Sequence, residues 1–471
     1  MHSSPVLSTP SRRQCSHSKA RDSSNICAKL STSKNGRKEV IVLHLNKPVT
    51  IGRNPDLCSY VIKDSSVSGV HCKIYAVRSP NGGVIISCED VSKNGIILNT
   101  HRIRKASFII MDRDVIEIPD SLTFICHQVW KDSVNKVTVF DPTPPQQPAQ
   151  KRIGNFAVTS QCLGSGAFAT VHLAIDLVRH CQVACKSIRT KKDREIDQVI
   201  KEINILMSLN HPNINRIYES IQNDNFIHIF LQLCTGGDLF TYINSHSERS
   251  SRICEAEAKY IMYQLLKALE YMHSKSISHR DLKPENILLY GPGPYPRIQV
   301  ADFGLARPKS YQETFNVCGT VSYLPPEAIL ALDQKDLAYV GMPSDCWSAG
   351  VILYIMLSGG HPFDYDDSSI PECWLSHIQE SHDLQYSQSY MDHEARLKER
   401  IINGEIDFKR SLWSSMPQAK DLVRQLLIRH HPRRATVFHA MSSQWILCEQ
   451  EMLEETYQER IIDTLGPAER A

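Results

Sequence analysis

The chain has 471 residues, and 53 Lys and Arg against 51 Asp and Glu leave a net charge of +2, which excludes a polycation built to bind nucleic acid directly. Hydrophobic residues make up 42% and charged residues 22%, an ordinary globular balance, with length for two or three domains of ~150 residues each. No apolar run nears the ~18 residues of a membrane helix, no apolar leader marks secretion, and the 15 Cys lack any CxxC pair, so a soluble protein of a reducing cytosol or nucleus is expected.

Residues 1–38 hold ten Ser and eight basic residues against the single acidic Asp22. So few apolar positions predict a disordered basic tail. From 39 to 130 the texture becomes short β-rich runs, Val40-Ile-Val-Leu, Val84-Ile-Ile, Gly95-Ile-Ile-Leu, Asp114-Val-Ile-Glu-Ile and Leu122-Thr-Phe-Ile, spaced as in an all-β sandwich. Asn81-Gly82 and Asn94-Gly95 supply turn positions. Segment 131–152 contains Asp141-Pro-Thr-Pro-Pro-Gln-Gln-Pro, a stiff Pro-rich linker. From 153 to 448 strands come first and helices after. Ile196, Val199, Ile200, Ile203 and Leu206 keep helical spacing, as do Ile261, Met262, Leu265, Leu266, Leu269 and Met272. That order predicts an α+β unit with a small sheet lobe and a larger helical lobe. Gly291-Pro-Gly-Pro-Tyr-Pro and the polar run 365–399 are expected to be surface insertions, and 449–471 a C-terminal tail.

The second unit carries an ordered set of polar motifs. Gly164-Ser-Gly-Ala-Phe-Ala-Thr-Val171 alone is a weak signal, since a Gly-rich turn is more often just a turn. Val183-Ala-Cys-Lys186 follows and places a lone Lys in an apolar strand; Glu202 lies on the next amphipathic helix, within reach of that Lys. His279-Arg-Asp-Leu-Lys-Pro-Glu-Asn286 and Asp302-Phe-Gly304 come downstream. The set suits phosphoryl transfer: a Gly-rich loop brings backbone N–H groups to phosphates, a paired Lys holds them, Asp and Asn ligate Mg²⁺, and another Asp accepts the proton of the attacking hydroxyl.

These motifs resemble those of the eukaryotic protein kinases across nearly all of 153–448. The resemblance implies a bilobal kinase fold acting on Ser or Thr with ATP and Mg²⁺ as cofactors. It places Gly164, Ser165, Gly166, Ala167, Phe168, Ala169, Thr170 and Val171 over the nucleotide and Lys186 on its α/β-phosphates, paired with Glu202. Leu231 becomes the gatekeeper, and Gln232 to Cys234 the adenine edge. Asp281 is implied as catalytic base, Lys283 as the γ-phosphate contact, and Asn286 and Asp302 as metal ligands; Asp345 would brace the catalytic loop. Ala169 replaces the third loop Gly, and Pro325-Pro326-Glu327 the usual Ala-Pro-Glu, with Glu327 expected to pair with Arg434. Asp238 is read equally well as a helix cap or, with Glu285, as an acidic pocket for a substrate Arg at position −3. Cys185 and Cys318 are read as packing residues. Thr314 and Thr320 lie in the activation segment, Thr314 being the cleaner regulatory candidate and Thr320 a neighbour of the catalytic Asp; Arg280 is the expected partner of a phosphate there.

The β-rich region carries Ile51-Gly-Arg53, Ser68-Gly-Val-His71 and Ser92-Lys-Asn-Gly95. Their order resembles the forkhead-associated (FHA) domain, a phosphothreonine binder in which a guanidinium and small donors on sandwich loops capture a phosphate dianion. The resemblance implies Arg53 and Ser68 on the phosphothreonine, Asn94 on the peptide backbone, and His71 in a structural role. An FHA domain ahead of a kinase of the calcium/calmodulin-dependent group is similar to the checkpoint effector kinases, nearest their meiosis-specific branch. The chain has no Thr-Gln pair, and its Ser-Gln pairs begin at Ser160, Ser387 and Ser443, outside the tail. A phosphorylated scaffold as partner, a transient homodimer and nuclear location follow from that likeness. The competing function class is a catalytically inactive phosphopeptide adaptor.

Overall fold

Period-2 alternation builds the first unit. Along β5 (Cys72–Arg78) every second side chain, Cys72, Ile74 and Ala76, is buried, and along β11 (Thr123–Gln128) Phe124 and Cys126 are. In this computed structural model, which describes residues 25–34, 36–79, 83–129, 151–165, 169–190, 193–223, 225–247, 252–308, 312–314, 318–334, 337–364, 384–409 and 411–465, such strands form two packed sheets. One sheet has the order β2-β1-β11-β10-β7-β8, from β1 (Ile26–Lys34), β2 (Arg37–His44), β7 (Ile96–Leu98), β8 (His101–Ile103) and β10 (Val115–Glu117). The other runs β4-β3-β5-β6-β9, from β3 (Val49–Gly52), β4 (Tyr60–Val61), β6 (Val84–Asp90) and β9 (Ser107–Ile109). Leu30, Leu43, Ile51, Ile74, Cys88, Ile116 and Phe124 fill the space between them.

The sandwich begins earlier than expected. Residues 26–34, assigned to the tail, form β1, which pairs with β2 on one side and β11 on the other. Ser, Thr and Lys dominate its composition, but Ala28, Leu30 and Thr32 all point inward and are buried. Composition averaged the two faces; the pairing with distant β11 separates them. The rest of the tail up to residue 24, the turn at Asn81-Gly82 and the Pro-rich linker 131–150 lie outside the described residues. Residues 151 and 152, assigned to that linker, open the next sheet instead.

The second unit is bilobal. Its sheet lobe has the order β12-β13-β14-β15-β17-β16 from β12 (Lys151–Ile153), β13 (Phe156–Ser165), β14 (Ala169–Asp176), β15 (Cys181–Arg189), β16 (Ile217–Asn223) and β17 (Phe226–Gln232). Helix α1 (Asp193–Met207) lays Val199 and Ile203 against Ile188, Ile227 and Ile229 of that sheet. The helical lobe is built on α3 (Glu255–Ser274), preceded by α2 (Leu239–Ser247), and on α5 (Gly341–Ser358), preceded by α4 (Pro326–Asp333). Sixteen of the residues of α5 are buried, so its apolar run is the lobe's central helix, and Gly359 in the left-handed region stops it.

Short strand pairs hold the loops between the lobes: β18 (Ile277–Ser278) with β21 (Arg307–Pro308), β19 (Ile287–Leu289) with β20 (Ile298–Val300), and β22 (Glu313–Thr314) with β23 (Tyr339–Val340). Two further expectations are revised. The run 365–399 is outside the described residues to 383, but its second half belongs to helix α6 (Leu384–Asn403), which buries Leu397 and Ile401 in the lobe. The C-terminal stretch is not a tail through its first half. Residues 450–457 form a helix whose Leu453 and Tyr457 are buried, Tyr457 donating to Asn213 Oδ1 at 2.8 Å. In each segment a few buried apolar anchors sit among polar neighbours, a pattern hidden until the partner surface is known.

Candidate active site and peptide-binding loops

The cleft between the lobes gathers residues from strands far apart in sequence. Lys186 comes from the middle of β15, in register with Val171 on one side and Ile229 on the other. Its Nζ lies 3.2 Å from Glu202 Oε1 on α1 and 3.0 Å from Asp302 Oδ1. Burial by itself would depress the ammonium, but Asp302 and Glu202 outweigh it and hold Lys186 above its ordinary value. Burial likewise pushes Asp302 up, and the Lys186 charge and hydrogen bond more than reverse it, so its carboxyl sits below the usual range.

Asp281 is oriented from several sides. Thr320 donates from both its backbone N and its hydroxyl to Oδ1, each at 3.0 Å. Asn286 Nδ2 donates to Oδ2 at 3.1 Å, and Lys283 Nζ lies 3.4 Å from the same oxygen while donating to the Thr320 hydroxyl at 2.8 Å. Asp345 accepts from the backbone N of His279 and of Arg280, both at 2.9 Å, which pins the loop to α5. Arg280 and Asp302 both hold positive φ, 69° and 62°, a conformation non-Gly residues rarely keep without such bracing. Gly319 has φ 111°, and a Cβ there would meet the Arg280 carbonyl at 2.7 Å, so only Gly lets Thr320 approach Asp281.

A cleft of about 250 Å³ opens beside these groups, roofed and floored by Leu163, Val171, Ala184 and Leu288 and backed by Leu231 through Cys234. Behind the Gln232 to Cys234 segment, Asn215 donates to Gln299 Oε1 at 2.8 Å and to the Gln232 carbonyl at 3.0 Å, and Gln299 donates to Gln232 Oε1. Asn215 and Gln299 carry no motif; only the fold brings them to this segment. Gly164, Ser165, Ala169, Thr170 and Val171 lie on the β13–β14 hairpin, whereas Gly166, Ala167 and Phe168 are outside the described residues.

Outside the cleft, Glu327 and Arg434 meet as expected, in a two-pronged pair at 2.7 and 2.9 Å with the Arg side chain fully buried. Asp238 is a helix cap: its carboxylate, 1% exposed, accepts from Thr241 N at 2.7 Å, and burial, reinforced by Glu285, pushes it up to about 6. Cys185 is fully buried, while Cys318 is half-buried beside the Tyr339 hydroxyl. Thr314 is buried in β22, paired with Tyr339 of β23, and Arg280 Nε and Nη2 donate to the Tyr339 hydroxyl at 3.0 and 2.7 Å. The cleaner regulatory candidate of the sequence is thus covered.

At one end of the sandwich, three loops converge. Arg53 is exposed, and its backbone N donates to the Ser68 carbonyl at 2.9 Å. Ser68 Oγ accepts from Lys93 N at 3.1 Å, and Asn94 Nδ2 donates to the Ser66 carbonyl at 2.9 Å. His71 is fully buried; its Nδ1 accepts from Ser68 N, so Nε2 donates to the Gly95 carbonyl at 3.2 Å. A neutral His thereby ties the Ser68 loop to the Asn94 loop. A Cβ on Gly52 would lie 2.4 Å from the Gly69 carbonyl, so Gly52 allows the Arg53 loop to close on the same point.

Comparison with known proteins matches both units. Residues 157–446 match the protein kinase domain and residues 49–119 the FHA domain. The probable serine/threonine-protein kinase fhkC of Dictyostelium discoideum is 30% identical over 430 residues, 89% of this chain and 65% of the relative. The meiosis-specific serine/threonine-protein kinase mek1 of Schizosaccharomyces pombe is 29% identical over 90% of this chain and 87% of its own length. MEK1 of Saccharomyces cerevisiae, of the same description, is 28% identical over 90% and 86%. The chain therefore spans just under two thirds of the Dictyostelium relative and most of each yeast one.

Proposed function

This chain belongs to the protein kinase domain family, as a serine/threonine kinase with an FHA domain, and from that premise we propose that it phosphorylates protein substrates after recruitment to a phosphothreonine-bearing scaffold. One observation carries the catalytic half: Lys186, Glu202, Asp302, Asn286 and a fully oriented Asp281 converge on one cleft. An inactive adaptor has no use for such an arrangement.

A kinase domain implies ATP as co-substrate. The leucine and valine walls of the cleft accept adenine, the segment Gln232 to Cys234 offers its backbone edge, and Lys186 holds the α/β-phosphates. Asn286 and Asp302 present hard oxygen donors that fit Mg²⁺, with the nucleotide phosphates completing its shell. When bound, Mg²⁺ neutralises phosphate charge. Asp281 accepts the proton of the substrate hydroxyl as its oxygen bonds to the γ-phosphorus and the β–γ bridging bond breaks to release ADP, and Lys283 offsets the charge on the transferred group. Thr320 keeps Asp281 from swinging away. The purified chain should transfer phosphate from Mg·ATP to basic Ser/Thr peptides; no transfer by activated protein would favour the adaptor.

Recognition rests on Arg53, exposed on loops already locked by His71. Arg53 pairs with the phosphate, Ser68 donates to it, and Asn94 holds the peptide backbone. Because Asp238 is consumed by its cap, the preference for Arg at −3 falls chiefly on Glu285, which lines the cleft. Glu285→Gln should flatten that preference in a peptide library more than Asp238→Asn does.

Recruitment raises local kinase concentration and favours phosphorylation in trans through a transient homodimer. Phosphate on Thr314 would require β22 to leave β23, releasing Arg280 from Tyr339 to become its partner. Forced dimerisation should restore Thr314 phosphorylation to Arg53→Ala protein, read by mass spectrometry; failure would mean concentration is not what the FHA domain provides. The likeness to kinases described as meiosis-specific supports reading this activity as nuclear and as part of checkpoint signalling during meiotic recombination or DNA damage. No described helix is long and apolar enough to cross a membrane.

A further inference from the structure

The sandwich touches the kinase unit along a seam that catalysis and phosphopeptide recognition leave unexplained. Ile85 and Ile109 are buried there, 5% and 1% exposed, against Leu173 and Leu233 of the kinase. Neither isoleucine belongs to the core that holds the sandwich together. Polar contacts fix the register. Ile109, on the edge strand β9, donates its N–H to Gln182 Oε1 at 2.7 Å and accepts from Gln182 Nε2 at 2.9 Å, so one side-chain amide completes a ladder rung. Ser79 Oγ donates to the Leu163 carbonyl at 2.8 Å.

This seam spans both lobes. Leu163, Leu173 and Gln182 belong to the sheet lobe, and Leu233 to the connection that follows β17. Beyond them, the Gly-Pro-Gly-Pro insertion of the helical lobe reaches the sandwich: a Cβ at Gly293 would stand 3.3 Å from the Tyr75 hydroxyl, and one at Gly291 3.1 Å from Ser107 Oγ. Ile85 is itself a wall of the interlobe cleft, alongside Leu163, Gly164 and Gly237.

We infer that the FHA domain docks in cis across the lobe connection, supplies Ile85 as a wall of the nucleotide cleft, and thereby slows nucleotide exchange. Exchange needs the lobes to part, and a rigid body fixed to both resists that. The phosphopeptide loops stay open meanwhile. Arg53 is exposed in the docked chain, and its loops sit at the Cys72–Asp90 end of the β5–β6 hairpin, whereas Ile85 lies opposite Val77 toward the other end, about 17 Å away at ~3.3 Å per residue. The docked chain can thus be recruited without releasing its nucleotide site.

The inference rests on the cleft being the nucleotide site, and the test separates the two. Full-length protein is loaded with radiolabelled ADP and Mg²⁺, and release is chased with unlabelled ADP by rapid filtration, beside small-angle scattering of the same samples. Ile109→Asp places a charge in the seam; it should speed release roughly tenfold, the factor for losing about 1.4 kcal/mol, and expand the particle. Ile85→Ala should speed release severalfold with the particle unchanged. Melting temperatures and phosphothreonine-peptide binding, read on the same variants, report whether each sandwich is folded; should Ile109→Asp fail to fold, Gln182→Ala, a kinase-side change, takes its place. Wild-type release rates in folded variants overturn the inference. A wild-type chain that binds no ADP overturns the nucleotide-site reading instead.

Discussion

The interlobe cleft and the sandwich loops are both proposed to handle phosphate, yet they hold their charges in opposite ways. In the cleft, Lys186 is shared between Glu202 and Asp302, and Asp281 accepts from Thr320 and Asn286 beside Lys283. On the loops, the one cation the recognition reading needs, Arg53, is exposed, and the bracing is done by backbone groups and the uncharged side chains of Ser68, His71 and Asn94. Chemistry requires groups whose position and protonation survive partial burial, so each charge is bound to another. Recognition requires a charge left available and a frame that does not compete for it.

That contrast can be broken from either side. The largest effect should come from Asp281→Ala, which removes the proposed base and should lower turnover by roughly 10³-fold or more while leaving phosphothreonine-peptide binding intact. Kinetics and calorimetry on one preparation check both halves. Next, Glu327→Ala strands the fully buried Arg434 and should cost about 3–5 kcal/mol of kinase-domain stability, seen as a lower denaturation midpoint. A midpoint within error of wild type would mean Arg434 is satisfied by its carbonyl partners alone.

Arg53→Ala should reduce phosphothreonine-peptide affinity by about 1.5–3 kcal/mol, the worth of a hydrogen bond to a charged group, with kinase activity on free peptides unchanged. Equal affinity for phosphorylated and unphosphorylated peptide in wild-type protein would reduce the loops to scaffold. The smallest effect per residue is set by pH. Burial lowers His211, His228 and His361 from 6.5 to about 4. Each unfolded His therefore binds its proton first as pH falls below 6.5, and stability is lost down to about 4. Between pH 7 and 5.5 this amounts to roughly 1 kcal/mol per His. Asp238, raised from 3.8 to about 6, runs the other way: protonation in the folded state restores stability over the same window and offsets part of the loss. Thermal melts should fall on acidification, and fall less steeply in His361→Gln protein; a flat profile in wild type contradicts the burial of these rings.

Most of the kinase unit was legible because its motifs are local. His279-Arg-Asp through Asn286 lies on one loop, and Asp302-Phe-Gly on the next. The strand β1 was not legible, because Lys29, Ser31 and Ser33 outweigh Ala28 and Leu30 within any window, and β11, its partner, lies nearly a hundred residues away. The helix over 450–457 escaped for the same reason, its anchors being Asn213 and residues of α3.

The sequence by itself determined the chemistry on offer: which groups could hold phosphate, accept a proton or ligate a metal, and that two units separated by a Pro-rich run carry them. Those properties reside in residue type and short spacing. Only the tertiary structure decided which groups are spent on one another. It capped α2 with Asp238, buried Thr314 under Tyr339, gave Arg280 to a hydroxyl, and laid Ile85 of one domain into the cleft of the other. Partnership of that kind depends on distance and burial between residues remote in the chain, and no local pattern encodes either.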